Sequence, residues 1–320
     1  MGPFSAPTVV VSDRAALPPR RFNNYTCSIQ SKVGKVYRVH AGRVNTAGAA
    51  RTGRERAAYG EWLHYTMSQH TTQDDRVRSL VERARTDTGT EAVIDGEAAD
   101  RLAHEARRTL HEGADTAATY DAVADAASAR IERDPAYERL AAQVARWRYA
   151  RRLLGDDAAS GVSDADYRAS FREAIERGLD AGRLDERMAD YDLDALAEAL
   201  RPDRDRELGY MAMETLVQRY FLRIGDDPVE LPQTFWLRVA MGLALNEDDP
   251  EARAVEFYEA MSRLRFVPST PTLFHAGTDH PQLSSCYLTT IPDDLDGIFD
   301  GYGEHARLSK WSGGLGNDWT

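Results

Sequence analysis

The sequence predicts a mainly α-helical chain that changes, at about Val267, into the first pieces of an α/β layer. Three observations carry this. Apolar residues recur at helical spacing over most of residues 76–265. Pro268, Pro271, Gly277 and Pro281 then break any helix. Leu283–Ile291 (LSSCYLTTI), rich in β-branched and aromatic side chains, reads as a strand, and a helix and a glycine turn follow it.

Residues 1–73 are set apart by charge. They carry ten Lys or Arg against three Asp or Glu, a net of +7, whereas the remainder carries 30 against 49, a net of −19. They mix Gly, Ala, Pro, Arg and Asn without a sustained period; Gly34–Val39 is a possible short strand with no convincing partner nearby. This segment reads either as a basic, disordered extension that binds something anionic, or as sequence ahead of a true start at Met67.

The helical part follows. Val77, Leu80, Val81 and Ala84 keep a 3, 4 spacing. Asp95 caps a helix through Leu102 and Ala106, and Tyr120 to Ile131 forms another. Pro135 opens a helix over Ala136–Leu154, with Arg151 and Arg152 near its negative end and Gly155 beyond it. Pro232 opens a helix with Phe235, Val239 and Leu243 on one side. Asp249-Pro250 starts the next, with Ala254, Phe257, Tyr258, Met261 and Leu264 as its apolar face. After the strand, Pro292 stops the ladder and Asp293-Asp294 offers a cap for a helix from about Leu295 to Lys310. The chain reaches Thr320 just as a second strand is expected, so it reads as an incomplete α/β unit.

Composition excludes several classes. No apolar run approaches the ~20 residues needed to span a bilayer, and no secretory signal is recognisable, so a soluble, cytoplasmic protein is expected. Two cysteines, Cys27 and Cys286, support neither a disulfide scaffold nor a cysteine-built zinc cluster. The acidic part argues against nonspecific binding to nucleic acid or anionic lipid.

The run RFVPSTPTLFHAGTDHPQLSSCYLTTIPDDLDGIF, followed by LSKWSGGLGNDW, resembles the first barrel strand and helix of class I (aerobic) ribonucleotide reductase large (alpha) subunits. S-T-P-T-L-F, P-Q-L-S-S-C and D-D-L-D-G-I occur in the family's order. The likeness continues upstream through DRDRELGYMAMETLVQRYF and QTFWLRVAMGLALNE, and more weakly through DPAYERLAAQVARWR, so it covers roughly residues 76–320 and leaves out 1–73. It implies a degenerate ATP-cone-like helical region at 74–155, a reductase N-terminal helical domain at 156–266, and in 267–320 the first strand–helix unit of a ten-stranded α/β barrel, truncated. The basic hairpin that opens an ATP-cone is not recognisable before Arg76, so no overall-activity switch is expected.

The resemblance also implies roles for particular residues. Cys286 falls on one thiol of the pair that supplies two electrons for reduction; such a group needs a rigid strand to face the sugar. Thr270, Ser285, Cys286, Gly313 and Gly314 fall on substrate contacts. The residues alone allow plainer readings: Thr270 extended before Pro271, Ser285 in a ladder, the glycines as a turn. Asp293, with Asp294 and Leu295, falls on the effector site, although Asp293 also serves simply as a helix cap. Gly301 and Gly303 interrupt the following helix, each at a cost of up to ~1 kcal/mol, which weakens the expected dimer contact there. His275 stands where Asn is common, with little consequence expected.

The resemblance implies reduction of ribonucleoside diphosphates to deoxyribonucleoside diphosphates by thiyl-radical chemistry. No cofactor is expected on this chain itself. The expected ligands are the substrate diphosphate and dNTP or ATP effectors. The expected protein partners are a beta subunit carrying the metal-radical cofactor, a second alpha copy in a homodimer, and thioredoxin or glutaredoxin as reductant. The thiyl cysteine, the second redox cysteine and the radical-relay tyrosines are expected beyond Thr320, so the chain alone is expected to be inactive. Three alternatives stay open: a cobalamin-dependent class II reductase, a noncatalytic nucleotide-binding or assembly piece, and a nucleic-acid binder resting on residues 1–73.

Overall fold

A computed structural model describes residues 26–30, 36–40, 72–155 and 161–319. The chain divides into two units, Met1–Gln69 and His70–Thr320. The first contains β1 (Thr26–Gln30) and β2 (Val36–His40), paired antiparallel from Thr26↔His40 to Gln30↔Val36. The strand expected at Gly34–Val39 therefore does have a partner. It was missed because T-C-S-I-Q holds only two β-branched residues and its period is too weak to read. The disorder expected for the rest of 1–73 lies outside the described residues.

The second unit begins with four helices: α1 (Gln73–Asp87), α2 (Gly96–Thr109), α3 (Thr116–Ser128) and α4 (Pro135–Leu154). Each start has a local cause. Thr72 and Asp75 form a reciprocal capping box, and Asp95, Asp115 and Asp134 accept from backbone amides at the other three. Val77, Leu80, Val81 and Ala84 are all buried, as their spacing predicts. In α4, Leu140, Ala141, Ala142, Val144, Ala145 and Trp147 are buried; the small alanines let neighbouring helices approach closely.

Next come α5 (Asp164–Asp180), α6 (Leu193–Ala199) and α7 (Tyr210–Thr215), the last continuing into a π-helical turn over Leu216–Tyr220. A two-residue ladder, β3 (Arg223–Ile224) with β4 (Asp227–Pro228), leads to α8 (Pro232–Ala244) and α9 (Pro250–Ser262). Asp249 caps α9 as its sequence predicts. Ala254, Tyr258 and Met261 are buried, but Leu264 is 42% exposed at φ 54°, because the helix stops at Ser262 and the chain turns left-handed.

Two features fix α8. Arg238 and Glu230 are both essentially buried: Arg238 Nε donates to Glu230 Oε1 at 2.6 Å, and Leu222 N donates to Glu230 Oε2 at 2.6 Å. Arg238 also donates to the Ala276 carbonyl at 2.8 Å, tying α8 to the segment that follows it in space. A Cβ at Gly242 would stand 1.9 Å from Gly277 N, so only glycine permits that backbone contact. Buried residues from Val77 to Ala276 form one hydrophobic cluster.

Beyond Val267 the structure corrects several expectations. Pro271 does not prevent a helix: α10 (Thr270–His275) is built on it, because a proline in the first turn lacks an N–H that needs no partner there. Thr270 accordingly opens a helix and is not extended. The strand β5 is Tyr287–Ile291, shorter than the expected Leu283–Ile291, so Ser285 and Cys286 precede it. Asp294 caps α11 (Leu295–Lys310), which runs unbroken through Gly301 and Gly303. Gly301 is buried, and a Cβ there would lie 2.5 Å from Ile291 Cδ1; its missing side chain lets α11 rest on β5. A second strand is present, β6 (Leu315–Trp319), paired parallel to β5 from Tyr287↔Leu315 to Ile291↔Trp319. The α/β part is thus a β–α–β unit rather than a lone strand and helix. Among the described residues no helix is long and apolar enough to cross a membrane.

Candidate functional site

Cys286 is a free, exposed cysteine at the head of β5, with φ 63°. A left-handed conformation is costly for a side chain of this kind and persists only where neighbours hold it. Two neighbours do so here. Tyr287 N donates to the Gly314 carbonyl at 2.8 Å, the first rung between β5 and the turn before β6. Gly314 faces the cysteine, since a Cβ there would stand 3.8 Å from Cys286 Sγ. The Ser285 hydroxyl lies 3.8 Å from the same sulfur.

The turn has its own construction. Trp311 ends α11, Ser312 takes φ 63°, and the Trp311 and Gly313 amides both donate to the Leu308 carbonyl. A Cβ on Gly313 would come within 2.9 Å of that carbonyl. Four of the residues singled out from the sequence, Ser285, Cys286, Gly313 and Gly314, therefore meet at one place. A thiol there is accessible, backed by main chain, and approached by a glycine turn without side chains. Such a place can present sulfur to a small molecule at close range.

Thr270 stands apart on α10, where its hydroxyl shares a hydrogen bond of 3.1 Å with Tyr220. Its helix is linked to the cysteine segment through Thr272, which donates to the Leu283 carbonyl at 2.8 Å. Asp293, Asp294 and Leu295 lie at the far end of β5, about 16 Å along the strand from its start, since five extended residues rise about 3.3 Å each. Asp294 accepts from Gly297 N at 2.8 Å as the helix cap, and Asp293 and Leu295 are exposed beside it. The two groups of candidates are thus carried on opposite ends of one strand.

Sequence reasoning missed the packing of Tyr220, His280 and Trp311 around this site. Tyr220, set by the π turn, stacks on Phe274 at 4.7 Å. His280 stacks on Trp311 with ring centres 3.5 Å apart, and His275 meets Trp311 edge-on at 6.0 Å. Burial pushes the His275 imidazole below its usual range; a hydrogen bond with the Trp311 main chain opposes this, while His280 and Arg238 reinforce it. The expectation that His275 matters little overlooked these contacts. The tryptophan two residues before the glycine pair was the available signal.

A separate cavity of about 450 Å³ lies among α4, α5 and the start of α8. Its wall includes Arg146, Trp147, Tyr167 and Asp205. The Asp205 residue is partly exposed, but its carboxylate turns inward, accepting from Tyr167 Oη at 3.0 Å and Gln233 Nε2 at 2.9 Å. Burial raises its pKa to about 6 despite those donors. None of the candidate site residues named from the sequence is among those that line this cavity. Among the described residues no group of three or more His, Cys, Asp or Glu is placed to hold a metal ion.

Comparison with known proteins shows what the chain is similar to. Residues 206–281 match the ribonucleotide reductase all-alpha domain. Over 196 residues the chain is 43% identical to the ribonucleoside-diphosphate reductase subunit alpha of Chlamydia trachomatis, covering 61% of this chain and 19% of that protein. Over 152 residues it is 41% identical to the corresponding subunit of Helicobacter pylori, covering 47% and 19%. Over 114 residues it is 46% identical to the large chain of Cryptosporidium parvum, covering 35% and 14%. The chain spans about a fifth of the length of the first two relatives. The likeness to the N-terminal portion of class I ribonucleotide reductase large subunits, read from the residues, is borne out.

Proposed function

We propose that this chain is the N-terminal part of the alpha subunit of an aerobic ribonucleotide reductase, and that Cys286 is one of the two thiols that reduce the substrate. The observation that carries this reading is the meeting of Cys286, Ser285 and the Gly313-Gly314 turn at the head of β5. The arrangement gives a reductant what it needs: an accessible sulfur in a fixed backbone, with glycine main chain where a ribose would approach.

The chemistry balances as follows. The C2′–O bond of a ribonucleoside diphosphate breaks and the oxygen leaves as water. A hydrogen takes its place on carbon, and two thiols lose two electrons to become a disulfide. Cys286 supplies one thiol; it is the single cysteine of residues 72–319, so the second comes from another segment of the enzyme. A dithiol protein such as thioredoxin or glutaredoxin restores the pair. The radical that starts the reaction is assigned to a metal-containing beta subunit, and its carrier on the alpha side to a cysteine outside the described residues. Asp293, Asp294 and Leu295, exposed at the other end of β5, are assigned to a dNTP effector near a second alpha copy. The β5–α11–β6 unit is then the first part of a ten-stranded barrel.

The test is the alpha–beta holoenzyme that contains this segment, assayed for reduction of cytidine diphosphate with dithiothreitol. Cys286→Ser is expected to abolish deoxycytidine diphosphate formation while cytidine diphosphate binding persists. Undiminished turnover in that variant would remove the assignment.

A further inference from the structure

We propose that Trp311, clamped by His280, is a positioning residue for Cys286; the inference rests on the redox reading of that cysteine but concerns how it is held. Residues 281–286 form no regular structure, yet they end at a cysteine in a left-handed conformation. Their described anchors are few. Gln282 N donates to the His280 carbonyl at 2.9 Å, and Thr272 Oγ1 donates to the Leu283 carbonyl at 2.8 Å. Both polar atoms of the Gln282 side chain are buried and find no hydrogen-bond partner among the described residues, which weakens the segment further.

The His280 ring closes this gap. It lies flat on Trp311, with centres 3.5 Å apart and planes 25° apart. His275, at the end of α10, meets the same indole edge-on at 6.0 Å, and the Lys310 ammonium stands 5.1 Å from its centre. Trp311 is the residue at which α11 ends and the turn begins. Three residues later the Gly314 carbonyl accepts from Tyr287 N, beside Cys286. The indole therefore joins both sides of the site. On one side His280 starts the segment leading to Cys286; on the other, Trp311 starts the turn that backs it. The chain between them is closed into a ring by the Gly314–Tyr287 bond. Releasing the stack frees both arms, and the glycine turn no longer stays against the sulfur.

Flat aromatic contact is what the clamp requires, and this separates it from a role for imidazole chemistry. The experiment uses the full chain with Cys27→Ser, so that alkylation reports Cys286. Amide hydrogen exchange and the iodoacetamide rate are compared for the parent, His280→Ala, Trp311→Leu and His280→Phe. In His280→Ala and Trp311→Leu, exchange at Tyr287 and alkylation of Cys286 are expected to rise roughly three- to tenfold, the size of one lost aromatic pair. Exchange in residues 232–244 is expected to be unchanged. His280→Phe is expected to restore both readouts. The proposal is overturned if His280→Ala leaves the two readouts as they were, if His280→Phe fails to restore them, or if exchange in 232–244 rises equally, which would mark a general loss of fold. These outcomes are independent of turnover. An active Cys286→Ser enzyme would defeat the redox reading while leaving the clamp in place.

Discussion

Replacing Glu230 by alanine strands a guanidinium inside the protein. Arg238 is 1% exposed, and its Nε and one terminal nitrogen donate to the Glu230 carboxylate at 2.6 and 3.2 Å. With the carboxylate gone, Arg238 keeps the Ala276 carbonyl, and the Leu222 amide loses an acceptor at 2.6 Å. Removing one member of a buried ion pair costs about 3–5 kcal/mol, because the remaining charge is neither solvated nor paired. For a unit of this size each kcal/mol moves the midpoint by about 2–4 °C, so Glu230→Ala should melt roughly 6–20 °C lower. The double variant Glu230→Leu with Arg238→Met replaces the pair by apolar volume and should recover most of that loss. Thermal unfolding followed by circular dichroism at fixed protein concentration measures both. A shift below about 2 °C for Glu230→Ala would refute the reasoning, since it would mean that water reaches Arg238.

Other outcomes follow from single contacts. Asp205 titrates near 6 when folded against 3.8 ordinarily, so the folded state holds an extra proton between those values. Stability from this group is full below about pH 4 and is lost as pH rises to about 6, by up to about 3 kcal/mol; urea unfolding across pH 4–7 should show the fall, and Asp205→Asn should flatten it. Gly242→Ala should prevent a stable fold, because its Cβ meets main chain at 1.9 Å, whereas Gly303→Ala, with open space around it, should stabilise by up to ~1 kcal/mol; soluble yield and melting temperature separate the two. Asp294→Ala should cost about 1 kcal/mol through loss of the α11 cap, read as faster amide exchange at the first turn of that helix.

Much of the fold was legible wherever the cause is local. Asp95, Pro135, Asp249-Pro250 and Asp294 all mark helix starts as read from the sequence, and the 3, 4 spacing of Val77 to Ala84 predicted burial correctly. Two of the misreadings come from contacts between distant residues, and one from where a helix ends. Gly301 looked like a helix breaker, but its meaning lies in Ile291, ten residues away and on a strand. Leu264 belonged to the apolar period of α9 but sits past the point where that helix ends. Cys286 was placed in a strand on its neighbours' β-propensity, yet the ladder begins one residue later, where Gly314 supplies an acceptor. For the site, motif order placed Ser285, Cys286, Gly313 and Gly314 together. It carried no sign of His280 on Trp311 or Tyr220 on Thr270, because a stack or a hydroxyl pair between separate segments leaves no period in the sequence.

The most direct measurement is peptide mapping of the alpha–beta holoenzyme after a single turnover without external reductant. The account predicts that Cys286 is recovered in a disulfide, in an amount that matches the deoxynucleotide formed. Deoxynucleotide produced while Cys286 stays free and alkylatable would contradict it.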